Sequence, residues 1–436
     1  MKFKNWTLTI LLISFILMLI WGCGQKETSK KEADILIWHW MTDRQRAFED
    51  LAKQYQKLTG LKVEFALYAP SDAYVQKVQA AAQTDTLPDI YGILGQKRDF
   101  AAYIKAGHVA DLTNYMEEDN NKWLNYFSPK TLEMNRFAAG NEFEVKPGIY
   151  GVPIDITNIQ MLYNKRLFKK AGLDPDNPPE TWDEFIRANK LLKEAGIQGL
   201  VSGWGEIWLI DCLASNYAFN IMGKEKVFDT IRGKVPYTDP DWIKVLSLFK
   251  EMADRKILAK GVVTMVNKTA EQLFANERAA FAFNGSWCVN VYKGMNPDLQ
   301  YGAMLPPKVS EEHPMYIWGG AGSSFIVNPK SSHKQEAIEF LRWLTEAKQQ
   351  MYLSKETLNL PSNKSCLKDI PPVLAQFADD IDKITHPRSW PVSESPMVTE
   401  VLDKGIQSII IGESTPEEVA KEVQKVKEEQ MAKNKS

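Results

Sequence analysis

Short runs of β-branched and aromatic residues alternate along this chain with helical stripes, and that rhythm restricts the fold more than any other feature. Ile35-Leu36-Ile37-Trp38 is followed by a helical pattern from about Asp43 to Leu58, then by Val63 to Tyr68 and another helix. The pattern is that of parallel β-α-β units. Ile90 to Leu94, Met161 to Tyr163, Gly199 to Val201, Ala280 to Phe283 and Ser324 to Val327 continue the series. Their apolar continuity predicts strands covered on both faces, hence an α/β architecture. Helix starts are marked by residues that can satisfy terminal amides. Thr181-Trp182-Asp183-Glu184 has capping-box spacing ahead of Phe185, Ala188 and Leu192, with Gly196 as the stop. Ala337, Phe340, Leu341 and Leu344 form a second stripe. Thr415-Pro416-Glu417-Glu418 opens a last helix carrying Val419, Val423 and Val426, with Lys421, Lys425 and Lys427 expected on its solvated face.

The first residues indicate where this fold must form. Lys2 and Lys4 precede an apolar run from Trp6 to Trp21 that stops at Gly22-Cys23, the layout of a secretory signal over residues 1–22. The run is shorter than the ~20 residues that span a bilayer, and a polar stretch follows. Ile20-Trp21-Gly22-Cys23 resembles a bacterial lipobox, although Trp21 is bulkier than that motif usually carries. Cys23 is therefore the expected lipidation site and residues 23–33 a tether, which places the protein outside the cytoplasm, anchored to the outer face of a bacterial membrane.

More than four hundred residues remain after the signal, beyond the ~250–300 at which one core divides. Two lobes are expected. Glycine and proline interrupt apolar segments at Tyr150-Gly151-Val152-Pro153, at Leu305-Pro306-Pro307 and near Leu360-Pro361-Ser362. Three such crossings divide the chain into an N-terminal lobe of 34–150 and 306–360 and a C-terminal lobe of 151–305 and 361–436. A net charge of −2 with interspersed signs argues against a nucleic-acid partner. Cys212, Cys288 and Cys366 are scattered, without metal-ligand spacing, and read as small buried hydrophobes. No metal or other cofactor is expected, and the protein is read as a monomer.

No phosphate loop, G-x-S-x-G or H-E-x-x-H motif occurs, so the enzyme reading starts weak. Gly203-Trp204-Gly205 and Gly319-Gly320-Ala321-Gly322 are either tight turns or places where backbone approaches a ligand. The distinctive signal is thirteen tryptophans, several beside small residues at strand ends. Sugar rings present apolar faces rimmed by hydroxyls, and an indole supplies a flat platform with a donor. Trp38, Trp182, Trp242 and Trp343 lie on strand or helix faces and are expected in the core. Trp40, Trp204 and Trp287 lie in predicted loops, with Trp208 nearby. Because ligands of open α/β sheets bind beyond the carboxyl ends of strands, His39, Trp40 and Asp43 follow as candidates after the first strand, and Gln96 after the Ile90 strand. His39 can equally be a satisfied core residue and Asp43 a helix cap. Asp155 and Asn158 are candidates past the first crossing, with turn chemistry as their other role.

In several ordered segments the chain resembles the extracellular solute-binding proteins of sugar importers, the group that contains maltose-binding protein. These are Leu87-Pro88-Asp89-Ile90, Tyr150 to Pro153, Leu162-Tyr163-Asn164-Lys165 through Leu173, Pro179 to Phe185, Asn284-Gly285-Ser286-Trp287, and Gly319-Gly320 leading into Phe325-Ile326-Val327. The resemblance covers nearly the whole chain after the signal. It implies a two-lobed periplasmic-binding-protein-like fold of type II, each lobe a mostly parallel sheet flanked by helices, closing on a carbohydrate and docking on permease subunits of an ABC transporter. It further implies that the loop after the first strand, the segment behind Pro153, the Ser286-Trp287 turn, with the candidate Asn284 just before it, and the Gly319-Gly320 turn line the cleft, while the Asp89 and Thr181 motifs are structural. The segments Gly203 to Trp208 and His386 to Ser395 match no family pattern, so Trp390 as a stacking platform rests on residue type alone. Two other readings stay open: a glycan-acting enzyme with paired carboxylates such as Asp43 and Asp155, and a carrier of a polyamine, phosphate ester or metal ion.

Overall fold

The computed structural model describes residues 33–433; the signal, Cys23 and nearly all of the tether lie outside them. Strand β1 (Ile35–His39) pairs in parallel with β2 (Val63–Leu67) and with β3 (Ile90–Tyr91). The helix Gln45–Thr59 makes the first connection and buries Phe48, Leu51 and Tyr55. β3 is shorter than the apolar run 90–94 because the Tyr74 hydroxyl takes both the N–H and the carbonyl of Gly92, ending the ladder there. The Asp89 carboxylate accepts from the Leu36 N–H at 2.7 Å and from the Ser331 hydroxyl. It thereby fastens the start of β1 to the chain that follows β10.

A small hairpin of β4 (Arg136–Phe137) and β5 (Gly148–Ile149) precedes β6 (Val152–Asn164). β6 joins the two halves of the molecule. Its first part lies antiparallel to β10 (Ile317–Val327), and its second to β8 (Phe281–Gly285) and β9 (Tyr301–Met304). β7 (Leu200–Val201) extends the second half in parallel with β8. β11 (Leu360–Pro361) adds to β6, and β12 (Ile384–Thr385) to β10. The order β2-β1-β3-β10-β6-β8-β7 therefore runs through both lobes.

Each lobe has its own apolar core. Ile37, Phe48, Phe65, Val152, Phe325, Phe340 and Leu341 meet in the first, and Met161, Phe185, Tyr217, Phe249, Phe281, Ile406 and Val423 in the second. The chain changes core along β6, again along β10, where Trp318 packs on the second core and Phe325 belongs to the first, and once more between Leu353 and Leu360. Leu305 packs on the second core. Trp38, Trp182 and Trp242 are buried, and Trp343 packs against Tyr55 with ring centroids 5.0 Å apart.

The helix Trp182–Glu194 begins as its sequence predicts, with the Glu184 carboxylate accepting from the N–H groups of Glu180 and Thr181 at 3.0 Å. The last helix, Pro416–Lys433, docks Val419 and Val423 on the second core. Its lysines do not all face solvent. Lys427 is buried, with its ammonium 2.8 Å from both carboxylate oxygens of Glu394, because position 427 falls one turn beyond Val423 on the docked stripe. Cys212, Cys288 and Cys366 are unbridged and buried. No described helix is long and apolar enough to cross a membrane.

One buried ion pair sits where the strands cross. Arg44 reaches Asp155 of β6 at 2.5 Å and the Ser323 hydroxyl of β10 at 2.8 Å, while Asp155 accepts from the N–H and the hydroxyl of Ser323, both at 2.7 Å. Burial opposes the charge of Arg44, but Asp155 and Asp43 outweigh it and raise the guanidinium pKa. Removing one partner strands the other, a loss of about 3–5 kcal/mol. Asp155→Ala should lower the unfolding free energy by that amount in urea titration, whereas Asp155→Leu combined with Arg44→Met should recover most of it.

Candidate functional site

A cleft of about 1090 Å³ opens between the lobes. One wall comes from the N-terminal lobe: Lys97 and the hairpin region from Pro129 to Ile149, with Arg136, Phe137 and Phe143. Facing it are Arg232, Ser389, Trp390 and Pro391. Lys97 supports the hairpin by donating to the carbonyls of Glu133, Met134 and Arg136, with its ammonium 4.1 Å from the centre of the Phe137 ring. Burial and the neighbouring Arg388 charge depress its pKa to about 7. Across the opening, Arg232 is paired with Asp229 at 3.1 Å.

The segment from His386 to Ser395 lies between the two halves. Arg388 reaches into the first lobe, donating to the Ile93 carbonyl at 3.1 Å and standing over the Phe100 ring at 5.1 Å. Glu394 turns to the second lobe, where it meets Lys427 and the Tyr237 hydroxyl. Between them Trp390 is held by its indole N–H on Thr385 at 2.8 Å and by edge contact with Phe219 at 5.3 Å. It borders the large cleft and also a smaller cavity of about 60 Å³, which Gln96 lines from the other lobe. Gln96 stands at the start of the helix Lys97–Lys105.

A second group of candidates gathers in the C-terminal lobe. Trp208 and Trp287 have ring centroids 6.0 Å apart at 47°, and Trp208 is 39% exposed. Trp208 donates to Glu206 at 3.4 Å, and Trp287 lies beside Glu271. Asn284 is buried and donates to Glu271 at 3.1 Å. A β-carbon at Gly285 would strike the Trp287 ring at 1.9 Å, so glycine is what lets the indole fold back over the end of β8. Ser286 ties this turn to the crossing, its N–H donating to the Asn158 carbonyl at 2.9 Å.

The remaining candidates are placed otherwise. His39 is fully buried, bonded through Nε2 to Gln45 at 2.7 Å and packed edge-on to Phe48 and Phe65. Trp40 is partly buried against Tyr74 and over Gly92. Asp43 accepts from Asn359 at 3.1 Å. Asp155 is taken up by Arg44 and Ser323. Asn158 is buried in β6, bonded to the Phe377 carbonyl at 2.7 Å, and Gly320 lies opposite Thr157 in β10. Trp204 is enclosed in the second core against Phe249 and presents no face to a ligand in this arrangement. The close backbone approach beside it is to the protein itself: a β-carbon at Gly203 would meet the Asn267 backbone at 2.4 Å. Gln96 and Trp390 thus come together between the lobes, and Trp208, Asn284 and Trp287 form a separate cluster. Lys97, Arg136 and Arg232 were not among the sequence candidates. Lys97 directly follows Gln96 and opens the helix after the Ile90 strand, a positional signal that could have found it; Arg232 closes a long helix and carries no such signal.

Residues 38–351 match the family model described as bacterial extracellular solute-binding protein. Among curated relatives, the multiple sugar-binding protein of Streptococcus mutans serotype c is 24% identical over 76% of each chain. The melibiose/raffinose/stachyose-binding protein MelE of Bacillus subtilis is 23% identical over 82% of this chain and 81% of its own length. A solved chitin oligosaccharide binding protein superposes with a TM-score of 0.74 at 22% identity, covering 91% of this chain and 98% of the other.

Burial pushes the His39 pKa down to about 4 from 6.5. Between those values the unfolded chain takes up a proton that the folded form refuses, so stability falls as pH drops through this window, by up to about 1.4 kcal/mol per pH unit. In urea denaturation, His39→Asn should lose about 2 kcal/mol less than the native protein between pH 7 and pH 4.5.

Proposed function

The chain belongs to the bacterial extracellular solute-binding proteins, and from this we propose that it is the substrate-binding component of an ABC importer, taking an oligosaccharide into the interlobe cleft and passing it unaltered to the permease. The observation that carries the reading is the cleft itself: about 1090 Å³, walled by both lobes and bordered by the indole of Trp390. A ligand that touches both walls only when they approach stabilises the closed form, and the permease can then sense occupancy. β6 and β10 pass between the lobes as the connecting straps. The similar proteins named for multiple sugars, for raffinose and stachyose and for chitin oligosaccharides point to the carbohydrate class. Trp208 and Trp287 supply a further aromatic surface toward which a longer ligand can extend. A glycan-acting enzyme is less well supported, because Asp155 is committed to Arg44 and Ser323 and has no freedom to flank a scissile bond.

The test is a thermal-shift and calorimetric screen of the full chain against raffinose, stachyose and chitin oligosaccharides, since a ligand that binds only the folded state raises its melting temperature. A binder should appear, and Trp390→Ala or Trp287→Ala should weaken it by about 1–3 kcal/mol, measured below the melting temperature of each variant. Release of new reducing ends on incubation would overturn the transport reading.

Export and anchoring belong to the same proposal: residues 1–22 are removed as a signal, and Cys23 carries the lipid that holds the protein outside the membrane near its permease. Cys23→Ala should shift the protein from the membrane fraction to the soluble one on cell fractionation, and membrane retention of the variant would contradict lipidation.

A further inference from the structure

The cavity of about 60 Å³ beside Trp390 has an unusual balance of hydrogen-bonding groups. Its walls include the rings of Tyr237, Trp242 and Trp390, the Asp211 and Glu394 carboxyls and, from the facing lobe, Gln96. Several of the donors are already committed. The Tyr237 hydroxyl donates to Glu394 at 3.0 Å, the Trp242 N–H to Thr230 at 3.0 Å, the Trp390 N–H to Thr385 at 2.8 Å, and the Ser215 hydroxyl to the Cys212 carbonyl at 3.1 Å. Glu394 is neutralised by Lys427.

What lacks a partner is chiefly acceptor. Gln96 Oε1 is buried, with no closer contact than the Asp99 N–H it caps at the start of its helix. Asp211 has neither a hydrogen-bond nor an ion-pair partner for its carboxyl among the described residues. Behind it stands Asp403, 2% exposed, whose Oδ1 is also buried and unpartnered. The Ser393 hydroxyl, which can donate or accept, is the other unpartnered group here. Two neighbouring carboxyls without a cation are costly unless protonated or matched by positive charge. Accordingly burial pushes Asp211 up to about 7, and burial with the Asp211 charge raises Asp403 well above its usual range.

A group that fits must therefore be small, rich in donors and positively charged, and must tolerate aromatic walls. An alkylammonium meets all four conditions, since indole and phenol rings attract cations and carboxylates accept from them strongly. At about 60 Å³ the space holds a few water-sized groups and not a sugar ring. Trp390 borders this cavity and the large cleft together.

We infer that the cavity is a subsite for a protonated primary amine carried by the ligand, with Asp211 as its counter-ion and Gln96 closing on it from the other lobe, so that the cleft selects amino-bearing saccharides over neutral ones. The inference rests on the carbohydrate reading above and narrows it. Because Gln96 and Asp211 belong to different lobes, the amine is held from both sides only when the lobes are together, which couples recognition to closure.

The test is calorimetry on the full chain with saccharides that differ only in a free amine: glucosamine against glucose, galactosamine against galactose, and chitosan tetramer against cellotetraose. In at least one pair the amino member should bind about tenfold or more tightly, and Asp211→Asn should bring it down to the affinity of its neutral partner. Should Asp211→Asn fail to fold, Gln96→Leu provides the second variant, with the same loss expected for the amino member. Neutral saccharides bound as tightly as their amino partners, or an Asp211→Asn effect equal on both members, would overturn the subsite while leaving the carbohydrate reading intact. No binding of any saccharide, here or in the wider screen, would overturn both.

Discussion

The arrangement depends on the buried contact of Arg44, Asp155 and Ser323. β6 and β10 carry the chain between the lobes, and each is too irregular at the crossing to be held by ladder bonds alone, since the register of β10 against β6 shifts around Ser323. Charge takes over where the ladder falters. Arg44 enters from the turn after β1 and clamps both strands at one point, within a shell that excludes water and so makes each of these bonds strong. A pivot of this kind stays fixed while lobes move, because removing either charge from its partner costs more than bending the strands that flank it.

From this pivot the functional surfaces follow by packing. The hairpin β4–β5 is held over the opening by the Lys97 ammonium, and the His386 to Ser395 segment fills the space between the lobes, sending Arg388 one way and Glu394 the other. Lys97 is satisfied by carbonyls and Glu394 by Lys427, while Arg388 makes one such bond through Nη1 and leaves Nε and Nη2 buried without a partner among the described residues. At the cavity behind Trp390 the carboxyl of Asp211 stands near that of Asp403 with no cation among the described residues paired to either. Imbalance of that kind marks a place where the protein alone is incomplete.

Much of the fold could be read locally. The Thr181 and Thr415 caps, the Ala337 to Leu344 stripe and the strand at Ile35 depend on residues within a turn of one another, and each formed where the pattern put it. The site was less legible. Trp204, His39 and Trp287 all follow strand-like runs beside small or polar residues, yet one is enclosed in a core, one is locked on Gln45 and one is paired with Trp208. Nothing within a few residues of each separates these outcomes, because they depend on what other elements pack against the same spot. Lys427 shows the same limit on a helix: its neighbours in sequence are solvated, and only the docking of Val423 carries it to Glu394.

The sequence by itself determined the class of several elements, the division into two lobes and the family, because these rest on periodicity, capping and ordered short motifs. Tertiary structure alone decided which side chains meet across the opening. Gln96 and Trp390 are nearly three hundred residues apart and Asp211 and Asp403 nearly two hundred, and such pairs meet only when β6, β10 and the segment after β12 bring distant parts of the chain together. Charge and hydrogen-bond balance inside a cavity is a sum over all the elements that enclose it, so it exists only once those elements are assembled.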